Sequence, residues 1–336
     1  MHWLEQYWYS LNLVSLALWP LSLLYGGFMT LRRWAYRRGL LRSQRLAVPV
    51  IAIGALTGGD SGATPLTIRL AEVLQTAGYR PGVVSRGAGG QSQQWPRRVK
   101  PDSDPREVSA QAMLLAWRCR CPVAAGPDLA AAGRSLISEC ACNVILAVDA
   151  LQQYTLGRDI EIAVIAGQRS LGNRSCLPAG PLREPLARLQ STDFVVGNGS
   201  AQRGEYLLTL EGGQAVNLVD PLVTCSVAAF RNESVKAVAA DVDPAQFFSF
   251  LKTQGIRVLE HSFPEHHFFS AAELDSDDDL PLLLPEQDAI KCRSFANERC
   301  WYISFQARLD PELERQLLAR LGRFPGKTIN PSLQPE

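Results

Sequence analysis

Charge imbalance is the first thing the sequence lacks. Its 336 residues carry 34 Lys and Arg against 33 Asp and Glu, a formal net charge of +1. A nucleic-acid surface leaves a basic excess on its domain, so no nucleic-acid partner is expected. The chain also lacks a C-x-x-C motif. Its eight cysteines include Cys119 with Cys121 and Cys140 with Cys142, both in C-x-C spacing. Neither a zinc site nor a redox pair follows from that, and buried or reduced thiols of a cytosolic protein are expected. Internal repeats and long low-complexity tracts are absent as well. What remains, 46% hydrophobic and 20% charged, suits one large or two medium globular domains with a real core.

Between Gln6 and Leu31 no residue is charged. The Leu-rich stretch from Leu11 to Leu31 contains Trp19 and Tyr25 and follows Tyr7, Trp8 and Tyr9. It is about as long as the roughly 20 apolar residues a bilayer crossing needs. Pro20, Asn12 and two glycines weaken it as a spanning segment. Arg32, Arg33, Arg37, Arg38, Arg42 and Arg45 follow, with no acid among them. That cluster predicts a cytoplasmic flank that contacts anionic lipid. A signal peptide would carry its positive charge before the apolar run, not after it. The segment is either a spanning or half-inserted anchor or an amphipathic helix in the interface. Both place residues 46–336 on the cytoplasmic side.

Val48 to Ala55 is an apolar run that predicts a buried parallel strand. It breaks into Thr57-Gly58-Gly59-Asp60-Ser61-Gly62-Ala63-Thr64 and then Pro65, where a helical apolar spacing begins. Strand, glycine loop and helix together make an anion cradle of backbone amides. Against the phosphate-loop pattern G-x-x-x-x-G-K-[ST], Gly62 and Thr64 are in register, Ala63 stands at the lysine and Thr57 at the first glycine. Further strands are expected at 81–85, 122–126, 143–149, 160–165 and 193–196, with helices at 65–77, 108–118 and 129–137 between them and a loop at 91–107. This alternation implies right-handed βαβ units and a parallel sheet covered on both faces. The glycine loop, Ser85 with Arg86, and Asp149 all fall at strand carboxyl ends, where such sheets bind ligands. Beyond residue 205, Glu211-Gly212-Gly213 predicts a hairpin. A second α/β portion then follows, with a last helix at 310–321.

These motifs, taken in order, resemble the tetraacyldisaccharide 4'-kinase family, the lipid A 4'-kinases of Gram-negative bacteria. The resemblance rests on the apolar N-terminal helix, the Val48–Pro65 loop, Arg80-Pro-Gly-Val-Val-Ser-Arg-Gly87 and Asp149-Ala-Leu-Gln-Gln-Tyr154. It continues through Leu177-Pro-Ala-Gly-Pro-Leu-Arg-Glu-Pro185, Phe263-Pro-Glu-His-His267 and Glu286-Gln-Asp-Ala-Ile-Lys291. It implies a P-loop kinase-like parallel-sheet domain at 46–205, a second, smaller α/β domain at 206–336, and a membrane-associated helix with its basic flank at 1–45. It further implies transfer of the ATP γ-phosphate, with Mg²⁺, to the 4'-hydroxyl of a disaccharide lipid precursor on the cytoplasmic face of the inner membrane.

By the same resemblance, Thr57 to Thr64 would hold ATP, and Thr64 and Asp149 the metal. Asp149, His266 and His267 would be catalytic. Ser85, Arg86, Arg183 and Glu184 would meet the substrate, with Arg183 and Glu184 alternatively a surface ion pair. The sequence departs from the family where phosphoryl transfer needs cations and acids. Ala63 replaces the loop lysine, and Asp60 adds a carboxylate beside a polyanion. Ser109-Ala-Gln111 replaces Gly-Asp-Glu, and Gln153 replaces a histidine. Arg86 or Lys291 is the candidate replacement cation. Two functions follow: a lipid A 4'-kinase with an altered nucleotide site, or a catalytically impaired homologue that binds lipid precursor or regulates a true kinase.

Overall fold

The computed structural model describes residues 7–10, 12–58, 62–167, 171–240, 244–264, 267–274 and 279–324. Helix α1 (Leu13–Arg37) opens the fold and is capped by Asn12, whose side chain accepts from the Ser15 amide. Strand β1 (Val50–Ala55) follows and is buried at all six positions. The chain then alternates through α2 (Ala63–Thr76), β2 (Pro81–Ser85), β3 (Arg97–Val99), α3 (Pro105–Val108), α4 (Ala110–Arg118), β4 (Val123–Ala125), α5 (Leu129–Cys140), β5 (Val144–Ala147), β6 (Ile160–Ala166) and β7 (Phe194–Asn198).

The second half holds β8 (Tyr206–Asn217), β9 (Thr224–Ser226), β10 (Ser234–Ala239), α6 (Pro244–Thr253), β11 (Arg257–Ser262), α7 (Ala271–Leu274), β12 (Leu282–Pro285), α8 (Glu286–Cys292), β13 (Cys300–Leu309) and α9 (Pro311–Leu321). All strands join one sheet, in the order β11-β10-β12-β13-β8-β7-β6-β1-β5-β2-β4-β3, with β9 beside β8. β1 lies between β5 and β6 and is parallel to both. The mixed α/β fold with a large parallel sheet is therefore the one the alternation predicts.

Side-chain period explains the layers. Ile51 and Ile53 of β1 pack with Leu66, Leu70 and Leu74 of α2, while Val50 and Ala52 pack on the opposite face with Leu129 and Leu136 of α5. A strand buried on both faces reads as a continuous apolar run, which is why β1 was legible. Each fully buried Leu contributes about 1.5–3 kcal/mol. Leu313, Leu317 and Leu321 of α9 join the core that α2 and α4 share. Arg69 pairs with Glu314 at 2.8 Å across that contact. The last helix thus packs on the half of the sheet that contains β1.

Three expectations change. Glu211–Gly213 does not turn a hairpin. β8 runs straight through it, antiparallel to β13, and Gly213 is the extra residue where the register shifts opposite Ser304 and Phe305. Gly212 and Gly213, at φ +96° and +84°, supply a bulge, not a reversal. The polar stretch at 91–107 also contains β3 and α3 besides loop. The basic flank of α1 divides in two. Arg32 donates to the Gln152 carbonyl at 3.2 Å and Arg33 to Ser191 Oγ at 2.5 Å. Arg37, Arg38, Arg42 and Arg45 are exposed.

One partly buried cation shapes the turn after β5. The Arg158 guanidinium donates to the carbonyls of Ala150 at 3.2 Å, Leu151 at 2.8 Å and Leu156 at 3.2 Å. Its charge lies 3.4 Å from Glu161. Arg158→Ala leaves these carbonyls without their donor, although Glu161 keeps Arg188 at 2.6 Å. It is expected to cost about 3 kcal/mol, read as a lower denaturation midpoint by circular dichroism. Arg158→Lys is expected to recover less than half of that, because an ammonium cannot fork across carbonyls that lie apart.

Candidate active site

β1 delivers the chain to the carboxyl end of the sheet at Leu56 and Thr57. Thr57 is buried and bridges antiparallel to Leu182. The Arg183 amide donates to the Leu56 carbonyl at 2.6 Å. This lays the segment ending in Arg183 along the loop. A Cβ at Gly58 would lie 3.7 Å from Arg183 Nη2, so the guanidinium covers Gly58. Gly59, Asp60 and Ser61 lie outside the described residues.

The loop closes on Gly62, the N-cap of α2, at φ +88°. A Cβ there would fall 2.6 Å from Asn198 Nδ2. Only glycine accepts both the backbone angle and the approach of Asn198, which stands at the end of β7. Gly62 has no side chain with which to cap α2, so the partly positive start of a 14-residue helix faces the loop. Ala63 turns its methyl into the core beside Leu66 and is 4% exposed.

Thr64, Ser85 and Asp149 come from three separate elements, and one side chain joins them. Gln111 Nε2 donates to Thr64 Oγ1 at 3.2 Å and to Asp149 Oδ2 at 2.7 Å, and its Oε1 accepts from Ser85 Oγ at 3.3 Å. The orientation of the amide follows from its partners: a carboxylate only accepts, so nitrogen faces Asp149 and oxygen faces the serine hydroxyl. Local structure aims Gln111. Ser109 adopts φ +82° and caps α4 through a bond from the Ala112 amide to its hydroxyl. That turns the first coil of α4 toward the loop. Asp149 stands just past β5 at φ +52°, a left-handed conformation that Asp tolerates better than most residues.

Sequence reasoning registered 109–111 only as a lost acid and did not assign Gln111 a contact. The available signal was one polar residue in the first turn of an otherwise apolar helix, at the carboxyl end of the sheet.

The remaining expected residues separate. Arg86 is exposed and follows Ser85. Arg183 and Glu184 do not pair with each other. Arg183 reaches the loop, while Glu184, 1% exposed, accepts from Tyr154 Oη at 2.8 Å and pairs with Arg188 at 3.1 Å. Burial pushes the Glu184 carboxyl up, opposed by the Tyr154 bond and the Arg188 charge. Burial, with Glu184 beside it, pushes Tyr154 up to about 12.

His266 lies outside the described residues. His267 sits in another cluster, 3.0 Å from Glu273 Oε1 and stacked on Phe263 at 4.6 Å. Lys291 donates to the His267 carbonyl at 3.1 Å and lies 3.3 Å from Asp288. Its charge is committed there, while the Arg183 guanidinium lies over Gly58.

Thr64 and Asp149, expected to hold the metal, share one donor. Both oxygens already accept from Gln111. Among the described residues no three His, Cys, Asp or Glu side chains gather as a metal cluster. The donor set does not fit a divalent cation.

A family model described as tetraacyldisaccharide-1-P 4'-kinase matches residues 14–322. A tetraacyldisaccharide 4'-kinase of Nitrosococcus oceani is 43% identical over 325 residues, spanning 97% of this chain and 96% of that protein. One from Alkalilimnicola ehrlichii is 45% identical over 312 residues, spanning 92% and 93%. A crystal structure of LpxK from Aquifex aeolicus, an "apo" form in complex with ATP, superposes with a TM-score of 0.78. It is 25% identical and spans 92% of this chain and 100% of that one.

Gly62 offers a direct test of the loop geometry. Gly62→Ala is expected to cost on the order of 1–3 kcal/mol in thermal unfolding, from a left-handed non-glycine and the clash with Asn198. Asn198→Ala in the same chain is expected to restore the part due to the clash and leave the part due to φ.

Proposed function

The chain belongs to the tetraacyldisaccharide 4'-kinase family, and we propose that it works at the step of lipid A biosynthesis for which that family is named. The reaction transfers the ATP γ-phosphate to the 4'-hydroxyl of tetraacyldisaccharide 1-phosphate and gives lipid IVA. The observation that carries the reading is the family match over residues 14–322, together with a phosphate loop set at the carboxyl end of β1 beside Ser85 and Asp149. The start of α2 and the Arg183 guanidinium over Gly58 would face the nucleotide phosphates. Binding of ATP is supported by the Aquifex aeolicus structure, which is an ATP complex.

Helix α1 supports a lipid substrate met at a membrane. Ser15, Ser22, Gly26 and Met29 are its buried face, and Ser22 Oγ donates to the Cys176 carbonyl at 2.6 Å. Leu13, Leu16, Leu24, Phe28 and Leu31 are exposed on the rest. A helix docked on the protein from residue 15 to 29 cannot be ringed by hydrocarbon along its length. The interfacial reading therefore suits it better than a full crossing. Exposed Arg37, Arg38, Arg42 and Arg45 at its end fit anionic lipid on the cytoplasmic face of the inner membrane. Leu21, Leu24, Tyr25, Phe28, Leu177 and Pro178 line an apolar cleft of about 510 Å³, chemistry suited to a hydrocarbon chain.

A second reading is favoured by one observation, the Gln111 amide between Thr64 and Asp149. With Ala63 in place of the loop lysine, the site keeps its binding frame and loses catalytic charge. Removing one charge-stabilising donor costs on the order of 10²–10³ in rate. In this reading the chain is a catalytically impaired homologue that binds the lipid precursor.

Full-length protein in detergent, given ATP, Mg²⁺ and tetraacyldisaccharide 1-phosphate, is expected to form the 4'-phosphorylated product slowly. Asp149→Ala is expected to abolish product, and Asp60→Gly, which removes a carboxylate from the phosphate loop, to raise the rate. No product from either protein sinks the kinase reading and leaves the lipid-binding one. For the membrane contact, Leu24→Gln with Phe28→Gln removes two side chains worth about 1.5–3 kcal/mol each when buried. Flotation with anionic vesicles is expected to weaken at least about tenfold, with the melting temperature unchanged.

A further inference from the structure

We propose that Gln111 closes this phosphate loop to divalent cations by holding its amide nitrogen where a cation would bridge Thr64 and Asp149. The inference rests on the reading of Thr57–Thr64 as a phosphate loop. The Nε2 group has two hydrogens, and the structure uses both, on Thr64 Oγ1 at 3.2 Å and Asp149 Oδ2 at 2.7 Å. Oε1 is held from the third side by Ser85 Oγ at 3.3 Å. The Ser85 hydroxyl in turn accepts from the Gly87 amide at 3.4 Å. The amide is therefore pinned on three sides, and its backbone is fixed by the Ser109 cap. It is a built-in donor in a place that needs one.

A divalent cation there would meet the wrong chemistry. Hard cations take oxygen ligands. Here two oxygens are engaged, and the third group presents N–H bonds, positive end first. Displacing the amide would also strip Asp149 of its donor. The amide supplies only a dipole, so the phosphates of a bound nucleotide would rely on Arg183 and the start of α2 for compensation. Glutamate has the same length as glutamine and exchanges the donor for an acceptor. Gln111→Glu thus converts a satisfied amide into a site of one hydroxyl and two carboxylates. Nucleotide binding in the native chain should be indifferent to divalent metal, and the single exchange should confer a metal dependence.

The test is Mn²⁺ alone, titrated into the full-length protein in detergent and followed by electron paramagnetic resonance. The native protein is expected to leave the free Mn²⁺ signal undiminished, while Gln111→Glu binds one equivalent that is lost again on adding Asp149→Asn. Should Gln111→Glu not fold, by circular dichroism, Gln111→Ala takes its place. It removes the amide and is expected to bind Mn²⁺ at least about tenfold more tightly than the native chain, the scale on which groups around a metal site act. Native protein that binds Mn²⁺ through Asp149 overturns the proposal. So does a folded variant that binds no better than the native chain, since the amide would then not be what excludes the metal. A fluorescent ATP analogue offered in EDTA reports the phosphate loop separately. Loss of that binding sinks the nucleotide reading while the Mn²⁺ result stands on its own.

Discussion

Ile51 and Ile53 seal one face of β1 and Val50 and Ala52 the other. Both faces of this strand are closed to ligands by helices, and its two edges are closed by β5 and β6. Only its carboxyl end is open. The chain must leave the sheet there, turn without burying unpaired backbone groups, and start α2. Glycine at 62 makes the turn into α2 possible at φ +88°. Ser85 and Asp149 come together because β2 and β5 are parallel neighbours that end at the same side, and Gln111 of α4 joins both to Thr64.

The turn after β5 carries a second constraint. Tyr154 stands at its end, with the Arg158 guanidinium over its ring at 4.8 Å and that of Arg32 at 5.5 Å. Tyr36 of α1 stacks on it at 5.7 Å. Its hydroxyl meets Glu184. The helix read as touching lipid and the turn that begins with Asp149 therefore share one aromatic ring. Arg32 adds a direct bond to the Gln152 carbonyl. α1 is thereby joined to the turn that begins with Asp149 by a ring stack and a hydrogen bond. Glu184, expected to meet substrate, is bound into this link.

What the sequence made legible follows from the same constraints. Strands sealed on both faces show as apolar runs, so β1, β2, β5 and β6 were readable within a few residues. The docking of α1 was not, since Ser22 and Gly26 face the protein and the longest apolar side chains face away. Gly212 and Gly213 were misread because a glycine pair serves a bulge as readily as a turn, and only the partner strand β13 decides which. Arg183 and Glu184 are adjacent and diverge, one to the loop and one to the buried Tyr154. Local sequence carries no trace of that difference. Gln111 was visible only as the absence of an acid.

The substitutions at 63 and 111 are better understood together than singly. A phosphate loop with lysine and a metal concentrates positive charge around a polyanion, and in the empty state that charge needs acids beside it. Thr64 and Asp149 bring surplus acceptor capacity to this place, and both accept from Gln111. An amide answers that surplus without a net charge, whereas a glutamate at 111 would add a second carboxylate next to Asp149 and repel it when no metal is present. Gln111 thus satisfies Thr64 Oγ1 and Asp149 Oδ2 without adding charge. Arg183, held over Gly58 by the Leu56–Arg183 backbone bond, remains as the loop's nearby cation. The chain therefore has the fold of its family with an uncharged amide set between Thr64 and Asp149.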